Sequence, residues 1–165
     1  MVLNVEDYKK MYGEISEGTF ERLRHDAVRT INHYTTGVDG FKKLKEAFPT
    51  DEDDAATVNL CIYKIINLML RYEQAEEAAE SAAGYEKTEN GLKGKVITAV
   101  SSGAESISYA AQKTTELTII GKAVADKVYW KNLLKETVWE YLSGVTDANG
   151  VNLLYMGPCP RRYLC

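Results

Sequence analysis

Apolar residues recur at helical spacing along much of this chain, and capping residues stand where the spacing begins. Asn4 precedes a short stretch whose apolar residues share one helix face, namely Val5, Tyr8 and Tyr12. Gly13 follows that stretch. The sequence therefore predicts a short first helix that ends near Gly13.

A longer amphipathic pattern begins after Ser16, which is a good helix cap. Its apolar positions lie three or four residues apart on one stripe: Phe20, Leu23, Ala27, Ile31 and Tyr34. Gly37 ends the pattern, which predicts a second helix of about five turns. The next residues predict a connector with one helical turn between Phe41 and Phe48.

The third predicted helix is the longest, because no Pro or Gly occurs between Pro49 and Gly84. Thr50 or Asp51 is placed to begin it. Residues 60–70 are apolar on nearly every side, as expected for a helix surrounded by others. Its last turns become acidic and solvated through a set of glutamates: Glu73, Glu76, Glu77 and Glu80.

The middle of the chain changes from helical to alternating spacing. Short alternating stretches flank the sequence SSGA, which predicts a β-hairpin at about residues 94–110. A lone hairpin is marginally stable in water, so we expect it to contact a neighbouring subunit. The residues predicted for that contact are Val96, Ile97, Val100, Ile107 and Tyr109.

A fourth main helix is predicted before Gly144. A mostly apolar stripe indicates it, formed by Val124, Val128, Lys131, Leu134, Val138 and Leu142. The pattern does not decide whether the residues before Gly121 are helical. The fold class is therefore mainly α: a bundle of about four helices, with one long apolar helix, a hairpin insertion and an extended C-terminal arm.

The last fifteen residues, VNLLYMGPCPRRYLC, are more apolar than a frayed terminus. Such a segment either packs on its own domain or binds another chain. We predict one domain over residues 1–150 and a docking arm over 151–165. The residues predicted to dock on a partner are Leu153, Leu154, Tyr155, Met156, Arg161 and Arg162. On this prediction, removal of residues 153–165 leaves a folded monomer that no longer joins its assembly.

Composition excludes several classes of function. The chain has 165 residues and a net charge of −4, which argues against a dedicated nucleic-acid binder. No stretch is long and apolar enough for a membrane span, and the N-terminus lacks the features of a signal peptide. We therefore expect a protein made in the cytoplasm that does not bind membranes.

Candidate chemistry is sparse. His25 and His33 stand eight residues apart on the second helix, which is too far for both to bind one metal ion. Cys159 and Cys165 lack the spacing of a redox pair or a zinc site. A small metal- or thiol-dependent enzyme stays an alternative only through these four residues. The sequence predicts no catalytic residues, no metal and no cofactor.

In four places the chain resembles the head–tail connector, or adaptor, proteins of long-tailed bacteriophages. They are the opening EDYKKMYGEISEGTFERLRHDAVRTINHYT, the apolar helix TVNLCIYKIINLMLRYE, the stretch ITAVSSGAESISYA and the ending EYLSG…NLLYMG. Three parts of the chain are longer than in the family pattern. They are the turn GVTDANG, the segment AAQKTTELTIIGKAVADK and the tail PCPRRYLC.

The resemblance implies a structural virion protein without catalytic activity. It implies a ring of about twelve copies beneath the portal protein, in the neck between capsid and tail. Its partners would be further copies of itself, the portal protein and a tail or stopper protein, with DNA passing through the lumen without specific binding. The alternative is a helical interaction subunit, such as a tail-completion or regulatory protein, that binds a single protein partner.

Overall fold

The computed structural model describes residues 3–82, 85–88, 91–94 and 119–157. The fold of these residues is mainly helical, as the sequence predicts. The elements in chain order are α1 (Val5–Tyr12), α2 (Glu17–Thr35), α3 (Lys43–Glu46), α4 (Glu52–Ala82), β1 (Tyr85–Thr88), β2 (Gly91–Gly94), α5 (Ile119–Ala125) and α6 (Lys127–Leu142). None of the described helices is both long and apolar enough to cross a membrane.

The predicted caps begin the first helices. The side chain of Asn4 accepts a hydrogen bond of 3.0 Å from the N–H of Glu6. The Ser16 hydroxyl accepts one of 3.2 Å from the N–H of Thr19. Each bond satisfies a backbone donor that has no partner within its own helix. Gly13 ends α1 with a φ of 97°, a backbone conformation that favours glycine.

The connector folds into a small hairpin followed by α3. The N–H of Gly37 donates to the carbonyl of Phe41, and Thr36 pairs with Lys42 in an antiparallel bridge. The predicted single turn is α3, Lys43–Glu46. Asp51 then begins α4, because its carboxylate accepts hydrogen bonds from the N–H groups of residues 53 and 54.

An aromatic cluster fixes α1 on the longer helices. The Tyr8 ring lies 5.7 Å from that of Phe20 in α2 and 6.2 Å from that of Tyr63 in α4. The Tyr63 hydroxyl donates to the carbonyl of Asn4 and accepts from its N–H, at 3.1 and 2.9 Å. Aromatic burial and this pair of hydrogen bonds hold the beginning of α1 in place.

The described chain divides into two compact units. The first unit contains the described residues up to Leu70 and from Lys131 onward. The second contains those from Arg71 to Trp130. Residues 151–157 belong to the first unit.

The core of the first unit is built from the apolar stripes of its helices. Six residues of the apolar stretch 60–70 of α4 are buried there, whereas Leu60 is 42% exposed. The largest fully buried apolar side chains are Tyr8, Phe20, Leu23, Ile31, Val58, Ile62, Ile65, Ile66, Val138, Leu142 and Leu153.

The second unit contains the end of α4, an antiparallel pair of strands and α5. The strand pair joins β1 to β2, with Tyr85 opposite Gly94. The predicted hairpin is a different one, and its residues Val96, Ile97, Val100, Ile107 and Tyr109 lie outside the described residues. Within this unit, the rings of Tyr72 and Trp130 stack with centroids 4.5 Å apart.

The predicted fourth helix is divided in two. Asp126 lies between α5 and α6, and its carboxylate accepts hydrogen bonds from the N–H groups of Val128 and Tyr129. This is a helix cap inside the predicted stripe, so α6 begins afresh at Lys127. Val128 of the predicted stripe lies in α6, and its side chain is exposed.

Candidate interaction surface

Residues 145–157, here called the terminal strap, turn back along the first unit after α6. Gly144 ends α6 with a φ of 94°, and the N–H of Leu153 then donates to the carbonyl of Val145 at 2.9 Å. Between them the Asp147 carboxylate accepts hydrogen bonds from the N–H groups of Asn149 and Val151. The local sequence thus dictates a tight loop that returns the chain towards its own domain.

The loop of the strap is bound to the beginning of α4. One carboxylate oxygen of Asp54 accepts hydrogen bonds from both the N–H and the hydroxyl of Thr146, each at 2.9 Å. The N–H of Ala148 donates to the carbonyl of Ala47 at 3.1 Å. These contacts join segments that are about ninety to one hundred positions apart in sequence, so they form only in the folded domain.

Lys43 binds the second half of the strap. Its side chain is 1% exposed, and its ammonium donates hydrogen bonds to the carbonyls of Asn152 (2.7 Å), Leu153 (3.3 Å) and Tyr155. The ammonium also lies 5.5 Å from the centroid of the Tyr155 ring. A buried ammonium is costly unless it is hydrogen-bonded, and backbone carbonyls supply the required acceptors here.

The end of the strap pairs with the tip of the connector hairpin. The N–H of Val38 donates to the carbonyl of Met156 at 2.9 Å. The hydroxyl of Tyr155 occupies the space that a Cβ at Gly157 would need, so the Tyr155 ring lies over this glycine. The backbone of residues 155–157 is therefore held on both sides.

The result is an exposed apolar surface, here called the terminal patch, that consists of Val38, Tyr155 and Met156. Their side chains are 76%, 48% and 46% exposed, respectively. Single exposed apolar residues are ordinary, whereas adjacent ones on a fixed backbone are typical of contact surfaces. Lys42 and Lys45, on either side of the buried lysine, are exposed.

The docking residues predicted from the sequence divide into three groups. Leu153 is fully buried in its own unit, which makes it a core residue in this structure. Leu154 is half-buried, whereas Tyr155 and Met156 are exposed. Arg161 and Arg162 lie outside the described residues. The expectation that the domain folds without residues 153–165 is opposed by the burial of Leu153, because its removal would leave a cavity.

Sequence reasoning did not identify Lys43. It is one of three lysines in FKKLKEAF, and no spacing rule distinguishes it from Lys42 or Lys45. Its burial depends on a strap that arrives more than one hundred positions later. Asp54 likewise has no local sequence signal for its contact with Thr146.

A second exposed surface lies in the second unit, near the end of α4. There Glu76, Glu77, Ala78 and Ala79 are all exposed, which means that this part of α4 is exposed around the helix. The side chain of Glu80 lies outside the described residues.

The residues weighed for chemistry are spread over the structure. The imidazole of His25 is 82% exposed and lies 3.9 Å from the carboxylate of Asp26. The ring of His33 contacts that of Tyr34 edge-on. In the part of the chain that the structure describes, no three His, Cys, Asp or Glu side chains are grouped so that they could hold a metal ion.

Cys61 is a core residue, as its apolar surroundings predict. Burial raises the pKa of its thiol to about 12, so the thiol is protonated at neutral pH. Cys159 and Cys165 lie outside the described residues. Comparison with known proteins adds no family assignment: no protein-family model, curated protein or solved structure matches this chain.

Proposed function

We propose that this protein is a structural subunit of the head–tail connector of a long-tailed bacteriophage. In this role several copies form a ring beneath the portal protein, extend the DNA channel and provide the platform to which the tail or a stopper protein attaches. The protein would act in the neck of the virion and be assembled in the host cytoplasm. It would require neither a catalytic residue nor a cofactor.

One observation carries the proposal beyond the sequence resemblance. The ending that resembles the family pattern, EYLSG…NLLYMG, spans the end of α6 and the terminal strap. The strap presents the terminal patch on a backbone held by Lys43 and Val38. A rigid apolar surface suits a subunit whose task is to contact other proteins, because little conformational freedom is lost on binding.

The charge of the chain agrees with a channel through which DNA passes. Duplex DNA carries one negative charge per about 1.7 Å of its axis, so a strongly basic lumen would hold it. A subunit with a net charge of −4 supplies no overall attraction to DNA. This supports free passage rather than specific binding.

The experiment is a sedimentation assay with assembled portal rings encoded in the same genome. We expect the protein to sediment with the rings and to remain at the top of the gradient without them. A portal protein from an unrelated phage is the matched control, with which we expect no co-sedimentation. Failure to sediment with its own portal would contradict the proposal.

The same assay distinguishes the connector from the alternative function, a subunit that binds a single partner. A helical subunit that binds a single partner would remain a monomer or form a one-to-one complex. A complex of that size with a tail-completion or regulatory protein, together with no binding to the portal, would establish the alternative in place of the connector.

A further inference from the structure

We propose that Asn149 is a site of spontaneous covalent modification, and that the folded loop of the terminal strap protects it. The reaction is deamidation, in which water converts the side-chain amide into a carboxylate. It requires no enzyme and is independent of the connector role proposed above.

The sequence supplies the reacting pair. Asn149 is followed by Gly150, and both residues are exposed. Because glycine has no side chain to obstruct the approach, its backbone nitrogen can reach the amide carbon of the preceding asparagine. Asparagine is for such reasons counted among the thermolabile residues. The sequence contains one other pair of this kind, Asn90 and Gly91.

The chemistry passes through a cyclic intermediate. The backbone nitrogen of Gly150 gives up its proton and bonds to Cγ of Asn149, while the bond between Cγ and the side-chain nitrogen breaks. That nitrogen takes up the proton and leaves as ammonia, so that a succinimide ring remains. Water then opens the ring at either carbonyl, which yields aspartate or isoaspartate. The new carboxyl group is ionised at neutral pH, so the product carries an additional negative charge.

The fold holds the attacking nitrogen away from this path. The N–H of Gly150 donates a hydrogen bond of 2.9 Å to the carbonyl of Asp147, and Gly150 has a φ of 74°. The N–H of Asn149 donates one of 2.8 Å to the carboxylate of the same aspartate. The nitrogen of Gly150 cannot lose its proton and attack Cγ while its N–H is bound in this way. The reaction therefore requires the loop to open.

Contacts at the base of the loop keep it closed. Thr146 pairs with Asn152 in an antiparallel bridge, and Asp54 accepts hydrogen bonds from the N–H and the hydroxyl of Thr146. Local opening of a native protein costs less free energy than global unfolding, and attack on the open form follows its population when opening and closing are fast. The rate of deamidation at Asn149 should thus report how often this loop opens.

The first experiment compares the folded and unfolded chain. The full chain is incubated at mildly alkaline pH with and without a denaturing concentration of urea, and peptide mapping by mass spectrometry measures aspartate and isoaspartate at each position. We expect Asn149 to react at least about tenfold more slowly in the folded chain than in urea. In urea, Asn90 is the internal reference and should react at a similar rate. Asn149→Gln should remove the product at this position, because its longer side chain would have to form a larger ring.

Two variants then separate opening of the loop from global unfolding. Thr146→Val removes the hydroxyl bond to Asp54 and should speed the reaction in the folded chain about two- to tenfold, the factor that corresponds to one hydrogen bond. Tyr63→Phe is the control, because it removes hydrogen bonds to Asn4 and none in the loop. It should leave the rate at Asn149 unchanged although it lowers global stability. In urea neither variant should change the rate.

The inference is overturned if Asn149 reacts as fast in the folded chain as in urea, or if it fails to react in urea while Asn90 does. It is also overturned if Thr146→Val does not speed the reaction, or if Tyr63→Phe speeds it equally. In either of the last two cases, the reaction would not depend on local opening of this loop.

Discussion

The ammonium of Lys43 donates a hydrogen bond of 2.7 Å to the carbonyl of Asn152, which lies 109 positions further along the chain. Together with the bonds to residues 153 and 155, this contact makes the terminal strap part of the domain. Charge-assisted hydrogen bonds of this kind hold backbone that has no regular secondary structure of its own. Lys43, in a single helical turn, is thus one of the residues that fix the position of the terminal patch.

Replacing Lys43 by Met should lower the free energy of unfolding by about 2–4 kcal/mol. The methionine fills a similar volume but leaves the buried carbonyls without this donor. Urea denaturation measures the change. Lys45→Met, at an exposed position of the same helix, is the matched control and should change stability by no more than about 0.5 kcal/mol. Equal effects of the two substitutions would contradict the role assigned to Lys43.

Two truncations should locate the boundary between fold and tail. Ending the chain after Asn152 removes the buried Leu153 and should cost about 2–5 kcal/mol or more, because the core loses a large side chain and Lys43 loses acceptors. Ending it after Gly157 keeps all described strap contacts, so stability should stay within about 1 kcal/mol of the full chain. Thermal unfolding distinguishes the two. If both truncated proteins unfold at the same temperature, the strap is not part of the core.

Removing the hydroxyl of Tyr63 and removing that of Tyr8 should have different effects on the stability of the protein. Tyr63→Phe loses both hydrogen bonds to Asn4 and should destabilise the protein by about 1–3 kcal/mol. Among the described residues the buried hydroxyl of Tyr8 has no hydrogen-bond partner. Tyr8→Phe should therefore leave stability unchanged or raise it slightly. Chemical denaturation of the pair, side by side, measures this difference, and a larger loss for Tyr8→Phe would refute it.

The thiol of Cys61 should make the protein less stable in alkali. Burial raises its pKa in the folded state to about 12 from an ordinary value of about 9. The unfolded state therefore releases its proton first as pH rises, and stability falls between about pH 9 and about pH 12 by up to about 1.4 kcal/mol per pH unit.

A matched substitution isolates that contribution from the tyrosines, because burial also raises the pKa of Tyr8 and Tyr12. In Cys61→Ala the plot of unfolding free energy against pH should be shallower by up to about 1.4 kcal/mol per pH unit, which is the contribution of one proton. This difference does not depend on how the substitution changes absolute stability. Identical slopes for the two proteins between about pH 9 and about pH 11 would show that the thiol does not carry the effect.

Local signals in the sequence predict most of the helical fold. The caps Asn4, Ser16 and Asp51 begin helices where the sequence places them, because capping is a matter of neighbouring residues. Most of the apolar stretch of residues 60–70 is likewise buried in its unit. Asp126 was missed as a cap because the apolar spacing continues across it, and period alone does not show where one helix ends and another begins.

The candidate surface could be predicted only in part. The last fifteen residues are visibly apolar in the sequence, but composition alone does not decide whether they pack on their own domain or on another chain. For residues 151–157 the answer depends on Lys43 and Asp54. Each of them contacts a strap residue that lies more than ninety positions further along the chain. Long-range hydrogen bonds of this kind produce no periodic pattern of residues from which they could be predicted.

The most direct measurement is the native mass of this protein mixed with the portal protein of the same genome. A connector subunit should give one complex that contains many copies of this chain on each portal ring, about twelve if the rotational symmetry is that of the family it resembles. The copy number would then fix the symmetry of the ring. A mixture in which the portal keeps its own mass, and this protein remains a monomer or dimer, would contradict the account.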